Sequence, residues 1–304
     1  MARIKGPLFS MDATGPLGPL LSFGRSKQGV TGRRKNGPRG IATELQVARR
    51  EAYRAAVDAW NELNTEEKAV FAAAAAALRM SGYNLFIREY LATPIQTDEY
   101  FAYVKLLAHF DIDASDVIGH TATTSNATVT DVQSQFGGKS LKINTSAGYA
   151  NYAYASASDS ELPGDFTIEF FVWLDNVVSE GVMIGSTASG GFQIGHRSGN
   201  TWGLAKASTA WLAYAASMPS LDTWHHVAVV RSGTAIKIYL DGVQVATGTS
   251  SATFTGSTSV RVGGMSGLGS TTGAYFDEVR ITKGIARYTA AFDPPTAPFP
   301  DVGP

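Results

Sequence analysis

The sequence predicts a multidomain chain: an extended N-terminal arm, a small α-helical hairpin or bundle, and an all-β sandwich filling the C-terminal two-thirds. Three observations carry this. Residues 1–40 mix eight basic residues with eight glycines and four prolines against one acid, Asp12, so alone they cannot bury enough apolar surface to offset chain entropy. Residues 43–91 carry apolar residues at three- and four-residue steps. From about residue 108 the period becomes two, with turn signals every eight to twelve residues. The boundaries read 1–40 arm, 41–94 helical docking domain, 95–107 linker and 108–304 sandwich.

The arm is not a simple polar tail. Leu8, Phe9, Leu20, Leu21 and Phe23 are spaced as anchors, and Arg33, Arg34 and Lys35 form a basic cluster. An arm of this kind takes its shape from a partner. In the helical region Thr43 and Gln46 have capping-box spacing, and Leu45, Ala48, Ala52, Ala56, Trp60 and Leu63 mark one apolar face. Asn64-Thr65 breaks the helix, with Thr65 as expected N-cap and Glu66 and Glu67 in the favourable first turn. The second helix carries Val70, Phe71, Ala74 and Leu78, and its alanine run favours helix and close packing. Ser81-Gly82 interrupts, a third helix spans 83–91, and Thr93-Pro94 ends the unit. In the next segment a helical stripe competes with a strand, and strand is expected from Val104 onward.

The sandwich is organised around 224–248, WHHVAVVRSGTAIKIYLDGVQVATG. Three β-type runs are separated by Ser232-Gly233 and Asp241-Gly242, and Asp-Gly is the strongest two-residue hairpin signal because type I′ turns need φ > 0 at both positions. The expected register sets Leu240 opposite Val243 and Ile238 opposite Val245, with Ile236, Ile238 and Leu240 buried and Lys237 and Tyr239 on the other face. Further strands are expected at 140–144, 150–155, 166–174, 181–186, 191–196, 201–205, 259–263 and 274–282, with 166–174 central.

The runs FTIEFFVWL, WHHVAVVR, IKIYLDGVQVA and YFDEVRITKGIARYTAAFDPPTAPFP resemble, in order, a laminin-G-like (concanavalin A-like) jelly roll in the form that recurs in tailed-phage virion proteins. Residues 1–91 carry a second resemblance. PLFSMDATGPLGPLLSFGRSKQGVTGRRK, the Arg50 to Lys68 run with its tryptophan, and SGYNLFIREYL are similar to a poorly characterised family of tailed-phage proteins with a closing SGYN-F motif. Pro16, Pro19 and Phe71 depart from that family's pattern. Together the resemblances imply a structural protein of a tailed-bacteriophage virion, a capsid decoration or head fibre, or a tail or adhesin component. It would be anchored by arm and helices and assembled in the host cytoplasm. The expected partners are other virion proteins (capsid or tail subunits), further copies of the chain in a homo-oligomer, and a host-surface glycan.

Net charge is −1, so no global field draws the chain to nucleic acid, which is not expected as a partner. No cysteine is present, and no segment is apolar for long enough to suggest a membrane span. No catalytic set is found. Glycanases on this fold use an E-x-D-x-x-E carboxylate cluster, absent here; Asp277 and Glu278, adjacent on a strand, are expected to face opposite ways. His225 and His226 point apart with no third ligand nearby, and no serine sits in a G-x-S-x-G elbow. The alternative function is glycan recognition, with His196, Trp202, Trp211 and Tyr214 as candidate contacts. Members of the fold hold calcium through loop carboxylates, for which Asp175 and Asp222 would serve; without a D-x-D-x-D-G loop, no metal or other cofactor is assigned.

Overall fold

The computed structural model describes residues 15–17, 21–26, 29–34, 44–76, 78–92, 96–145, 147–176, 180–197, 200–265 and 274–304. They fall into two compact units, Met1–Pro94 and Ile95–Pro304.

In the first unit, β1 (Gly15–Leu17), β2 (Leu21–Ser26) and β3 (Gly29–Arg34) form a three-stranded antiparallel sheet in that order. The backbone is extended, as the composition predicts, yet the expectation that any fixed shape comes from outside the subunit is corrected. The arm doubles back and pairs with itself, Leu17 opposite Leu21 and Phe23 opposite Gly32. Pro16 is tolerated because β1 is an edge strand, where a missing N–H interrupts no ladder. Leu21 and Phe23 lie in β2, and Arg33 and Arg34 in β3. Leu8, Phe9, Leu20, Lys35 and the Thr43 cap lie outside the described residues.

Three helices follow: α1 (Glu44–Glu62), α2 (Thr65–Ala76) and α3 (Gly82–Ala92). The cap of α2 is Asn64, not Thr65. Its Oδ1 accepts the backbone N–H groups of Glu66 and Glu67 at 2.9 and 3.0 Å, and Glu67 Oε2 returns the bond to the Asn64 N–H at 2.8 Å. This is a capping box with asparagine in the leading place. The Ser81 hydroxyl caps α3 by accepting from the Asn84 N–H. Gly82 is required by contact: a Cβ there would stand 2.7 Å from the backbone nitrogen of Ala72 in α2. The unit's core is aromatic, with Trp60 packed on Phe71, Tyr83 and Phe86 at centroid distances of 5.5–6.2 Å. Val70 and Leu78, expected on the buried stripe, are instead exposed: α2 turns Phe71 and Ala75 toward its neighbours, and Leu78 lies beyond its last turn.

The second unit is a two-sheet sandwich. Its strands are β4 (Val104–Ala108), β5 (Thr121–Ser125), β6 (Ala127–Thr130), β7 (Ser140–Ile143), β8 (Tyr149–Ala153), β9 (Phe166–Trp173), β10 (Gly181–Ser186), β11 (Phe192–Arg197), β12 (Thr201–Lys206), β13 (Ala210–Ala215), β14 (Trp224–Ser232), β15 (Ala235–Leu240), β16 (Val243–Thr249), β17 (Ser259–Gly263) and β18 (Tyr275–Lys283). One antiparallel sheet runs β13-β12-β11-β10-β17-β8-β5. The other runs β16-β15-β14-β9-β18-β7-β6, with β4 added beside β18. The core between them takes Phe166, Ile168, Phe170 and Val172 from β9, Val227 and Val229 from β14, and Ile194, Trp202, Leu204, Val260 and Val262 from the facing sheet. β9 is central and covered on both faces, as its uniform hydrophobicity predicts.

The 95–107 segment is not a linker. A 3-10 turn (Phe101–Tyr103) leads directly into β4, and Val104, Leu106 and Leu107 are buried.

The meander is present, with Asp241 and Gly242 at φ 49° and 75° as a type I′ turn requires. Leu240 opposes Val243, but Ile238 opposes Ala246, because a bulge after Ile238 shifts the register. Tyr239 is buried rather than solvent-facing: residues 284–304 cross the outer side of this sheet. Tyr288 stacks on Phe292 at 3.6 Å, and Phe292 packs against Tyr239. Phe299 closes a second patch with Val104, Leu107 and Phe171. The strap is pinned by Gly242, whose carbonyl accepts the Phe292 N–H at 3.1 Å, and a Cβ on Gly242 would strike the Phe292 oxygen at 1.7 Å.

These positions set an order of costs. Ile238→Ala is expected to lose about 2–5 kcal/mol as a fully buried truncation. Leu240, only partly buried at the hairpin end, should lose clearly less. Urea unfolding of the two variants checks this, and equal losses would mean the bulge does not set the facing.

Candidate functional site

The sheet that ends in β13 has an outer face free of the strap. Cross-strand pairing places seven residues in one row across it: Trp211, Ala205, Gln193, Gly185, Arg261, Asn151 and Thr123, one from each strand in sheet order. At about 4.8 Å per strand the row is about 29 Å long. Alternation turns the neighbours Leu204, Ile194, Ile184 and Val262 into the core, so the row faces outward. A neighbouring row holds Tyr214, Gly203 and Gly195. Glycine and alanine keep the middle low between raised ends. At one end Trp211, Ala205, Gln193 and Gly195 line a depression of about 80 Å³ with Glu180, Gly181, Val182 and His196. On the other side of Gly185, the Arg261 guanidinium lies 3.9 Å over the Tyr149 ring, and its Nε is 3.4 Å from Asn151 Oδ1.

Of the four predicted aromatic and imidazole contacts, Trp211 and Tyr214 lie on this face, Tyr214 being 61% exposed. Trp202 does not. It is wholly buried between the sheets, and its Nε1–H donates to the Ser217 carbonyl at 2.8 Å. His196 pairs with Trp202 across the strands and so shares its inward side, touching the depression only from below. Burial pushes the His196 pKa down, and the nearby Glu180 charge only partly offsets it. Its imidazole is therefore neutral at pH 7.

The carboxylates are engaged elsewhere. The expected opposition of Asp277 and Glu278 is corrected by a bulge in β18, where Glu278 has φ 49°. Phe276 and Val279 both enter the core, leaving the two acids on the same outer side. Neither reaches solvent. Asp277 Oδ2 accepts the N–H groups of Gln135 and Phe136, while Glu278 accepts the Phe299 N–H and meets His109 Nδ1 at 2.7 Å. Burial, with the charges of Glu278 and Asp111 adding, raises Asp277 to about 7 against those two N–H bonds. For His109, burial is outweighed by Asp301 and Glu278, which raise it to about 10. Glu169 sits between Arg280, at 2.9 Å, and the Tyr288 hydroxyl, at 2.8 Å, and Asp98 bridges Arg280 and Arg287. These groups fasten the strap and the segment before β4 to the sheet.

His225 and His226 do point apart. His226 is buried among Phe171, Phe292 and Phe299. His225 Nδ1 contacts Asp241 Oδ2 at 2.6 Å, and its Nε2 contacts Ser220 Oγ at 2.8 Å. Serine, histidine and aspartate thus stand in hydrogen-bonding order, which no local motif signalled. Asp241 Oδ1 also accepts the His226 N–H at 2.9 Å, so this carboxylate acts as a latch holding the Asp-Gly turn to β14. Among the described residues no group of three or more His, Cys, Asp or Glu side chains could hold a metal ion, and Asp175 and Asp222 belong to no such group.

The fold and this open face define a concanavalin A-like jelly roll: residues 147–286 match the concanavalin A-like lectin/glucanases superfamily. Similar solved structures include domain 4 of AbnA, a GH43 extracellular arabinanase from Geobacillus stearothermophilus, in complex with arabinotriose (20% identity, TM-score 0.49, 60% of this chain and 93% of that one). Another is the binding domain of Paraclostridial Mosquitocidal Protein 1 (12%, TM-score 0.45, 60% and 49%). A third is the botulinum neurotoxin serotype G binding domain (14%, TM-score 0.45, 62% and 49%). The chain thus spans about half the length of the two toxin domains. No curated protein matches the chain.

Proposed function

We propose that the protein is a non-enzymatic structural component of a tailed-bacteriophage virion, anchored by its N-terminal arm and helices and displaying the jelly roll. The carrying observation is the division of labour along the chain. The buried carboxylates of the sandwich fasten its own strap, while a separate unit ahead of it resembles, in its SGYN-F segment, phage proteins. The partners in this reading are capsid or tail subunits and further copies of the chain. Incorporation into particles tests it: deleting residues 1–40 or 41–94 is expected to abolish incorporation while the sandwich stays folded. Normal incorporation of both deletions would overturn it.

The row on the outer face favours a second reading, recognition of a host-surface glycan. Trp211 offers a stacking surface, and Gln193, Asn151 and Arg261 offer donors for hydroxyl groups. Glycan-array binding is expected to be weak and lost in Trp211→Ala. Trp202→Ala is not a useful probe, because that side chain is core.

A further inference from the structure

The net charge of −1 hides a division. Residues 1–94 carry 14 Lys and Arg against 8 Asp and Glu, giving +6; residues 95–304 carry 11 against 18, giving −7. That excess lies in residues 1–40, with eight cations against one acid, whereas α1 carries three arginines against Glu44, Glu51, Asp58 and Glu62; the three arginines of α1 are nevertheless gathered in one place. Arg49, Arg50 and Arg54 are exposed around Tyr53, itself 46% exposed, and these four residues line an open depression of about 440 Å³. None of the three arginines makes an ion pair among the described residues, although Asp58 lies one turn beyond Arg54. Like charges one turn apart, as Arg50 and Arg54 are, weaken a helix. The helix is nevertheless held firmly, by Ala56 and Trp60 in the unit's core and by the contact of Tyr53 with Tyr83 at 3.5 Å. A rigid face that gathers unpaired cations against local preference is shaped for an anionic partner.

We propose that this face of α1 docks on duplex DNA through the backbone phosphates, without reading bases. The cations are all arginine, whose planar guanidinium forms paired hydrogen bonds with phosphate oxygens and stays charged at any accessible pH. Positions 49 to 54 span about 7.5 Å of helix axis, a length over which duplex DNA presents about four charges at one per 1.7 Å. The depression is open, and its walls are the stems of the three arginines and the Tyr53 ring, so the guanidinium groups stand at its rim, where a convex phosphate backbone can reach them. The proposal departs from the expectation of no nucleic acid drawn from net charge, and it does not depend on the virion reading.

The test is fluorescence anisotropy of the full chain with labelled 20-base-pair duplexes of two unrelated sequences, from 50 to 200 mM salt. Equal affinity for both sequences is expected, with log K falling against log salt at a slope of about −2.7 for three phosphates. Arg49→Gln/Arg50→Gln/Arg54→Gln should bind at least tenfold more weakly at 50 mM salt, with a slope two to three units shallower. Circular dichroism should show unchanged helicity, and the lysine triple variant, which keeps the charges, should retain the slope. No binding at 50 mM salt, an unaffected glutamine variant, or equal competition by polyglutamate at matched charge would overturn the proposal; the last would point to an acidic protein surface instead.

Discussion

A chain beginning at Ile95 is expected to unfold in one cooperative thermal transition, whereas a chain beginning at Ala108 is expected not to fold at 25 °C. The shorter version keeps nearly every strand of the sandwich, so hydrophobic patterning alone would predict that it folds. It lacks most of β4, which pairs with Val279, Arg280, Ile281 and Thr282, and with it the buried Val104, Leu106 and Leu107. Each such side chain contributes about 2–5 kcal/mol when truncated to alanine. It also lacks Asp98, whose two oxygens meet Arg287 Nη1 and Nη2 at 2.9 and 2.6 Å and whose N–H donates to the Val302 carbonyl at the chain's end. Removing one partner of a buried ion network costs about 3–5 kcal/mol, because the remaining charge stays desolvated. These losses together are comparable to or larger than the roughly 5–15 kcal/mol that holds an ordinary domain folded. Circular dichroism melts of the two versions decide it, and matching transition temperatures would return 95–107 to the role of a linker.

Why that boundary was misread is physical. The segment is short, and its period fits helix and strand alike; only the partner strand, about 175 residues later, resolves it. The meander was legible because its register is set by a two-residue turn whose φ values demand Asp-Gly. The sandwich strands that escaped notice, β5, β6 and β13, all lie at sheet edges. There threonine and alanine face partly outward, and alternation carries little contrast. Tyr239 and Lys237 read as one solvent face because a sequence pattern does not show that residues 284–304 will return to cover Tyr239. The outer-face row was visible only at its aromatic end. Gln193, Arg261 and Asn151 become neighbours through cross-strand pairing, with no local motif to announce them. Trp202 and Trp211 are equivalent by composition, and strand parity, altered by the bulge between Leu204 and Ala205, separates core from surface.

Glu169→Gln is expected to cost about 3–5 kcal/mol at pH 7, the range for removing one member of a buried charge cluster. The side chain is fully buried on β9, with Arg280 Nε at 2.9 Å and the Tyr288 hydroxyl at 2.8 Å. An amide keeps the shape but leaves Arg280 and Arg287 with Asp98 as their remaining acid at this node. The same geometry fixes the pH dependence. Burial pushes the Glu169 pKa up, but Arg280, His226 and Arg287 outweigh it and hold the carboxyl at about 2. The value in an unfolded chain is about 4.3. A folded pKa below the unfolded one means that the native state binds fewer protons, so the stabilisation is full above about pH 4.3 and is lost as pH falls toward 2. Asp98 works in the same direction: burial raises its pKa, and Arg287, the Tyr100 N–H and Arg280 more than reverse that. Wild type and Glu169→Gln should therefore differ most at neutral pH and converge between pH 4.3 and 2, as protonation removes in the wild type the charge that the variant lacks throughout. Denaturant unfolding at a series of pH values measures this. A constant gap across that window would mean that Glu169 supports the fold through packing alone, and that the strap is held by its aromatic contacts rather than by charge.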